Sequence, residues 1–144
     1  MPFIKIWIHF VWSTKNRVPV LVADARQKIF AHIKENGLLK NIYVDFVNGH
    51  IDHVHCLVSL KSTQTVSTVA QQLKGESACW ANKNNLCGQK LEWQDDYFAV
   101  SVSESAVDSV REYIKNQEEH HKKKTFAEEY EEFIKKYGFN LMKD

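Results

Sequence analysis

Apolar residues alternate along the start of the chain, with Ile4, Ile6, Ile8, Phe10 and Trp12 on one side and Lys5, Trp7, His9 and Val11 on the other. A period of two is that of a pleated strand, and apolar character on both sides suits a central position in a sheet. The spacing then changes to helical. Ile29, Phe30 and Ile33 form a buried stripe, Asp24 is placed to cap it with Gln27 three residues on, and Gly37 supplies a stop. Residues 42–47 read as a second strand, closed by the hairpin signal Asn48-Gly49, which leads into a third strand over residues 53–60. A second helical stripe, Val66, Val69, Ala70 and Leu73, continues to about Ala81, and residues 82–88 read as a loop. Residues 97–102 give a fourth strand. Ser105, with Asp108 in the reciprocal position, is expected to cap a helix carrying Tyr113. Thr125 with Glu128 opens a last helix containing Tyr130, Phe133, Ile134 and Tyr137, ended by Gly138.

The order β-α-β-β-α-β followed by helices predicts an α+β fold: a ferredoxin-like antiparallel sheet with additional C-terminal helices. The first two helices can cover one sheet face, leaving the other for the Tyr113 helix or a substrate. With no repeat, low-complexity tract or long linker, residues 1–144 are expected to form a single domain, large enough to bury a core without staples.

The segment Asp52-His53-Val54-His55-Cys56 brings in chemistry. His53 and His55 emerge on the same face of the third strand, and Cys56 on the other. Two neutral imidazoles on a rigid face can hold a divalent ion, although such a pair is equally compatible with hydrogen-bonded, half-buried histidines. In Glu112-Tyr113-Ile114-Lys115-Asn116-Gln117, Tyr113 and Gln117 stand four apart and share a helix face, so a phenol and an amide can join the imidazoles. Asp52 should emerge opposite His53 and end the preceding turn rather than bind metal. His120 and His121, adjacent on a helix, should diverge and not form a second metal pair.

Composition narrows the reading further. The three cysteines, Cys56, Cys79 and Cys87, have no paired spacing, so neither a disulfide framework nor a zinc knuckle is indicated. The start Met1-Pro2-Phe3-Ile4-Lys5-Ile6 runs directly into a strand without signal-peptide features, and no run is long enough to span a membrane, so a cytoplasmic location is expected. Nineteen Lys and Arg against eighteen Asp and Glu leave a formal net charge of +1, which does not announce a nucleic-acid binder. Local clusters are more informative: Lys15 and Arg17 after the first strand, Lys74 in the second helix, and Lys122 and Lys123 beyond the Tyr113 helix are candidate DNA contacts or simply solvated cations. Trp93, Tyr97 and Phe98 are candidates for base stacking, with apolar packing as the alternative.

Taken in order, the chain resembles the single-tyrosine HUH transposases of bacterial and archaeal insertion sequences. The resemblance is carried by His9-Phe10-Val11-Trp12-Ser13-Thr14-Lys15-Asn16-Arg17, Asp52-His53-Val54-His55, Leu73-Lys74-Gly75, Trp93, Tyr97-Phe98, and Tyr113-Ile114 with Gln117. It implies a metal-dependent endonuclease and strand transferase acting on single-stranded DNA at hairpin-bearing element ends. Tyr113 is the implied nucleophile, forming a 5′-phosphotyrosine link and releasing a 3′-hydroxyl. His53, His55 and Gln117 are the implied ligands of Mg²⁺ or Mn²⁺. The resemblance also implies a homodimer in which the tyrosine helix of one subunit completes the histidine site of the other. Three alternatives share some of these features: a domesticated nuclease that processes palindromes, a plasmid relaxase or rolling-circle nuclease, and a non-catalytic ferredoxin-like DNA-binding module.

Overall fold

The computed structural model describes residues 2–137, so the expected helix stop at Gly138 lies outside the described residues. Its elements are β1 (Trp7–Ser13), α1 (Ala23–Leu39), β2 (Tyr43–His50), β3 (His53–Ser59), α2 (Val66–Lys83), β4 (Phe98–Val102), α3 (Val107–Lys115), α4 (Gln117–His120) and α5 (Phe126–Tyr137). The strands form one four-stranded sheet in the order β2-β3-β1-β4, and every neighbouring pair is antiparallel. The fold is thus α+β, with an antiparallel sheet and C-terminal helices.

The pleat sorts the two faces as the alternation requires. Ile8, Phe10 and Trp12 of β1 and Val54, Cys56 and Val58 of β3 join Ile29, Phe30 and Ile33 of α1 and Val69, Ala70 and Leu73 of α2 in the main core. Trp93, Tyr97 and Leu91 close this core, with the Trp93 indole N–H donating to Ser77 Oγ at 3.1 Å, so Trp93 and Tyr97 pack rather than stand free. On the opposite face, Trp7 and Leu57 pack with Val107 and Ile114 of α3, and Val11 packs with Phe126 and Phe133 of α5. His53 and His55 therefore lie beneath the C-terminal helices, as the sequence pattern predicts.

Several boundaries differ from the expected ones, each for a local reason. Ile4 and Ile6 precede β1 and are partly exposed. Helix α1 starts at Ala23 with Val22 as its cap residue, and Asp24 lies inside the first turn, where its carboxylate faces the positive end of the dipole. Gly37 does not end α1. It is buried in the last turn, where a Cβ would meet Val44 Cγ2 at 2.8 Å, and the left-handed residue that turns the chain is Asn41. Asn48 and Gly49 lie in β2 rather than in the hairpin turn, paired with His55 and Val54. The turn is Ile51-Asp52. A Cβ on Gly49 would sit 2.1 Å from the His53 carbonyl oxygen, so this glycine serves close approach of two backbones. Ser105 falls in a 3-10 turn, Glu104–Ala106, and makes no cap to α3, whose cap residue Ala106 has no side-chain bond to give. The Thr125-Glu128 capping box is formed as expected: the Glu128 N–H donates to Thr125 Oγ1 at 3.2 Å, and the Thr125 N–H to Glu128 Oε1 at 3.3 Å.

Helix α3 is bound to the sheet by specific polar bonds. The Arg111 guanidinium donates to both Asp45 oxygens, at 2.7 and 3.0 Å, and to Asp108 at 2.8 Å. Asn48 Nδ2 donates to the carbonyls of Ile114 and Lys115 at 2.9 and 3.1 Å, satisfying the exposed C-terminal end of α3 from the neighbouring strand. Only Ser103 and the 3-10 turn separate β4 from α3, which leaves little slack between them.

Candidate active site

Register places the histidines. Val11 pairs with His55 across β1 and β3, so His9, two residues back along β1, lies diagonal to His55 on the same face. Its Nε2 is 2.9 Å from His55 Nδ1, and the rings stack. Burial, with His55 beside it, lowers the His9 pKa to about 3, and burial lowers that of His55 to about 4, so both are neutral near pH 7. Neutral His9 can accept the Nδ1 proton of His55, which leaves His55 Nε2 free to act as a ligand. His53 is held in the same sense. Its Nδ1–H donates to Asp52 Oδ1 at 2.9 Å, turning Nε2 inward. Asp52 therefore orients an imidazole from the hairpin turn, a role that the expected side-chain direction had not suggested.

Helix α3 brings Tyr113 over this face, its ring 5.6 Å from that of His55 and 6.2 Å from that of His9. At Asn116 the backbone departs from helical geometry and α4 begins, yet Gln117 still turns inward. Gln117 is fully buried with Oε1 2.9 Å from His53 Nε2. The four residues singled out from the sequence thus meet in one cluster within the chain.

Glu129 of α5, 1% exposed, enters the same cluster and was not foreseen. Its Oε1 lies 3.2 Å from His55 Nε2 and 3.6 Å from His53 Nε2, and Oε2 accepts a short hydrogen bond from the Tyr113 hydroxyl. Burial would raise the carboxyl pKa, but the His121 and His55 rings beside it outweigh burial and hold it far below the usual range. Burial and the adjacent Glu129 charge push the Tyr113 phenol well above its ordinary value. A cation at this carboxylate would reverse the second effect.

His120 and His121 do not diverge from the site, contrary to expectation. Because α4 is a single turn ending at His120, both rings reach Glu129: His120 Nε2 is 3.2 Å from Oε2 and His121 Nε2 is 3.6 Å from Oε1. His53, His55 and Glu129 form one group able to hold a metal ion, and His120, His121 and Glu129 form another. The donor chemistry fits a divalent cation: imidazole nitrogens with an amide and a carboxylate oxygen, the Nδ1 atom of His53 and that of His55 each facing a hydrogen-bond partner.

A cleft of about 500 Å³ opens beside Tyr113 between β4, α3 and α5, lined by His9, Ser101, Ser103, Ser109 and Glu129 among others. The basic residues expected at DNA have varied surroundings. Lys15 pairs loosely with Glu92 at 3.7 Å, and the Arg17 guanidinium lies over the Phe126 and Tyr130 rings. Lys122 pairs with Glu119 at 2.8 Å, and Lys123 is exposed. Lys74 donates to the carbonyls of Gln94 and Asp95 at 2.6 and 2.8 Å, bracing the loop before β4. Phe98 packs on Tyr130 and Phe133.

Known proteins resemble this chain in sequence and in fold. The family described as "Transposase IS200 like" matches residues 3–117. The ISDra2 transposase TnpA of Deinococcus radiodurans is 31% identical over 115 residues, covering 76% of this chain and 81% of the relative. Among solved structures, a D. radiodurans protein described as a transposase superposes with a TM-score of 0.65 at 23% identity, covering 81% of this chain and 93% of the other. A REP-associated tyrosine transposase bound to a REP hairpin superposes with a TM-score of 0.61 at 18% identity, covering 84% and 72% respectively. Among the described residues, no helix is long and apolar enough to cross a membrane.

Proposed function

The chain belongs to the IS200-like, single-tyrosine HUH transposases, and on that footing we propose that it cuts and rejoins single-stranded DNA at hairpin-bearing element ends through a 5′-phosphotyrosine intermediate. The observation that carries this reading is the meeting of Tyr113, Gln117, His53 and His55 in one cluster, with Tyr113 bordering an open cleft. The strand order β2-β3-β1-β4 supports assigning the sheet to the ferredoxin-like arrangement, and residues 1–144 to one HUH domain. The relative bound to a REP hairpin supports a hairpin as the recognised feature.

His53 and His55, through Nε2, and Gln117, through Oε1, would hold Mg²⁺ or Mn²⁺. When bound, the ion supplies charge to a nonbridging phosphate oxygen and to the departing 3′ oxygen. Tyr113 Oη attacks phosphorus. The bond to the 3′ oxygen breaks, the 5′ phosphate remains on tyrosine, and the proton lost by the phenol is balanced by the one the 3′ oxygen takes up as it leaves as a hydroxyl. Glu129 Oε2 receives the Tyr113 hydrogen bond and aims the oxygen lone pairs toward the cleft. His9 and Asp52 hold the two imidazoles in ligating orientation. Attack by a 3′-hydroxyl on the phosphotyrosine reverses these events and joins strands without external energy.

Lys15, Arg17, Lys122 and Lys123 are proposed phosphate contacts, and the bonds of Lys74 support a bracing role instead. A homodimer in the cytoplasm is proposed from the family resemblance. The test is cleavage of hairpin oligonucleotides with an adjoining single strand in Mn²⁺ or Mg²⁺. Wild-type protein should release a 3′-hydroxyl fragment. Tyr113→Phe should abolish release while keeping DNA binding. Cutting only of duplex DNA, or full activity of Tyr113→Phe, would overturn the proposal.

A further inference from the structure

We propose that His121 is a third imidazole ligand of the cation held by His53, His55 and Gln117, with Glu129 closing the set. The site would then be rich in nitrogen and favour Mn²⁺ over Mg²⁺. The inference rests on the functional reading above and extends it to residues beyond 117, where the family match ends.

His121 stands to the centre of the site as His53 does. Its Nε2 is 3.0 Å from Gln117 Oε1 and 3.6 Å from Glu129 Oε1. The corresponding distances from His53 Nε2 are 2.9 and 3.6 Å. The side chain is only 3% exposed. On its other nitrogen, Nδ1–H donates to the Lys124 carbonyl at 2.6 Å, an oxygen that can only accept. That fixes the proton on Nδ1 and directs the Nε2 lone pair inward, as Asp52 does for His53. The Nε2 atoms of His53, His55 and His121 each lie within 3.6 Å of Glu129 Oε1, and those of His53 and His121 within 3.0 Å of Gln117 Oε1, all of them acceptors once the outer nitrogens carry the protons. Acceptors facing acceptors repel unless a positive charge lies between them, and a divalent cation beside Glu129 Oε1 meets that need. Imidazole nitrogen suits Mn²⁺ and later transition ions better than Mg²⁺, which prefers oxygen and retained water.

The test measures binding of Mn²⁺ alone, by calorimetry and by electron spin echo modulation from directly bound imidazole nitrogen. Wild-type protein should show three coupled nitrogens. His121→Ala should show two and bind Mn²⁺ roughly tenfold or more weakly, since loss of even an outer partner of a ligand costs about that much. His121→Gln provides the same comparison if the alanine variant fails to fold, and thermal melts of the metal-free proteins check both. If His55→Ala loses affinity and a nitrogen while a folded His121 variant matches wild type in both, this inference falls and the functional reading stands. If wild-type protein shows no nitrogen coupling at all, both fall.

Discussion

His9 does its work through another residue. It accepts at His55 Nδ1 from one diagonal position across the sheet. His9→Leu should leave that proton without a partner and let the His55 ring turn, weakening Mn²⁺ binding about tenfold or more, whereas His9→Gln keeps an acceptor and should retain most affinity. Titration calorimetry on the two variants distinguishes an orienting role from simple packing, which would favour leucine. The same burial has a consequence for pH in the metal-free protein. With folded pKa values of about 3 for His9 and about 4 for His55, against 6.5 for both when unfolded, the unfolded chain binds more protons below that value. Their contribution to stability is therefore fully present above about pH 6.5 and is lost as pH falls toward 4 and then 3. Urea midpoints measured with chelator should drop from pH 7 to pH 4, and His9→Gln should flatten the slope. A midpoint independent of pH across this window would show that the histidines are not buried neutral.

Strand pairing carries more of the site than side-chain identity alone suggests. Gly49 lets β2 come against the carbonyl of His53, so Gly49→Ala should displace the metal-binding strand and cost roughly 2–3 kcal/mol, as other overpacked positions do. Chemical denaturation provides the measure. Asn48→Ala removes both bonds to the end of α3 and should cost about 1–2 kcal/mol. Its cleavage rate should fall further than that of a surface change, because Tyr113 rides on α3. The alternation over residues 53–58 exposes the shared histidine face in the sequence alone, because period two is a local property. The helix spacing of Tyr113 and Gln117 was legible for the same reason. Gly49 was misread because a glycine required for a turn and one required for close backbone approach have the same local signal. Glu129 was invisible because it reaches the site only when α5 folds back across the sheet, and His121 was expected to diverge because the single-turn length of α4 has no local signal. The one hint was that His9 shares the face of His53 and His55 once β1 and β3 pair.

At the scale of the whole molecule, the C-terminal helices decide whether one chain is enough. Arg111 and Asn48 tie α3 to β2 of its own chain, and the link from β4 is short. A site completed within each chain predicts that a mixed Tyr113→Phe and His55→Ala dimer recovers no cleavage beyond either variant alone. Recovery would show exchange of the tyrosine helix between subunits, the arrangement the family resemblance implies. The central claim is narrower than either dimer arrangement: Tyr113 itself forms the covalent bond to DNA. Incubating the protein with a hairpin oligonucleotide and Mn²⁺, digesting it, and locating the modified peptide by mass spectrometry tests that claim directly. The expected result is a 5′-phosphonucleotide on the peptide containing Tyr113. A covalent nucleotide on Tyr97 or Tyr130, or cleavage with no protein-linked nucleotide at any time point, would contradict it.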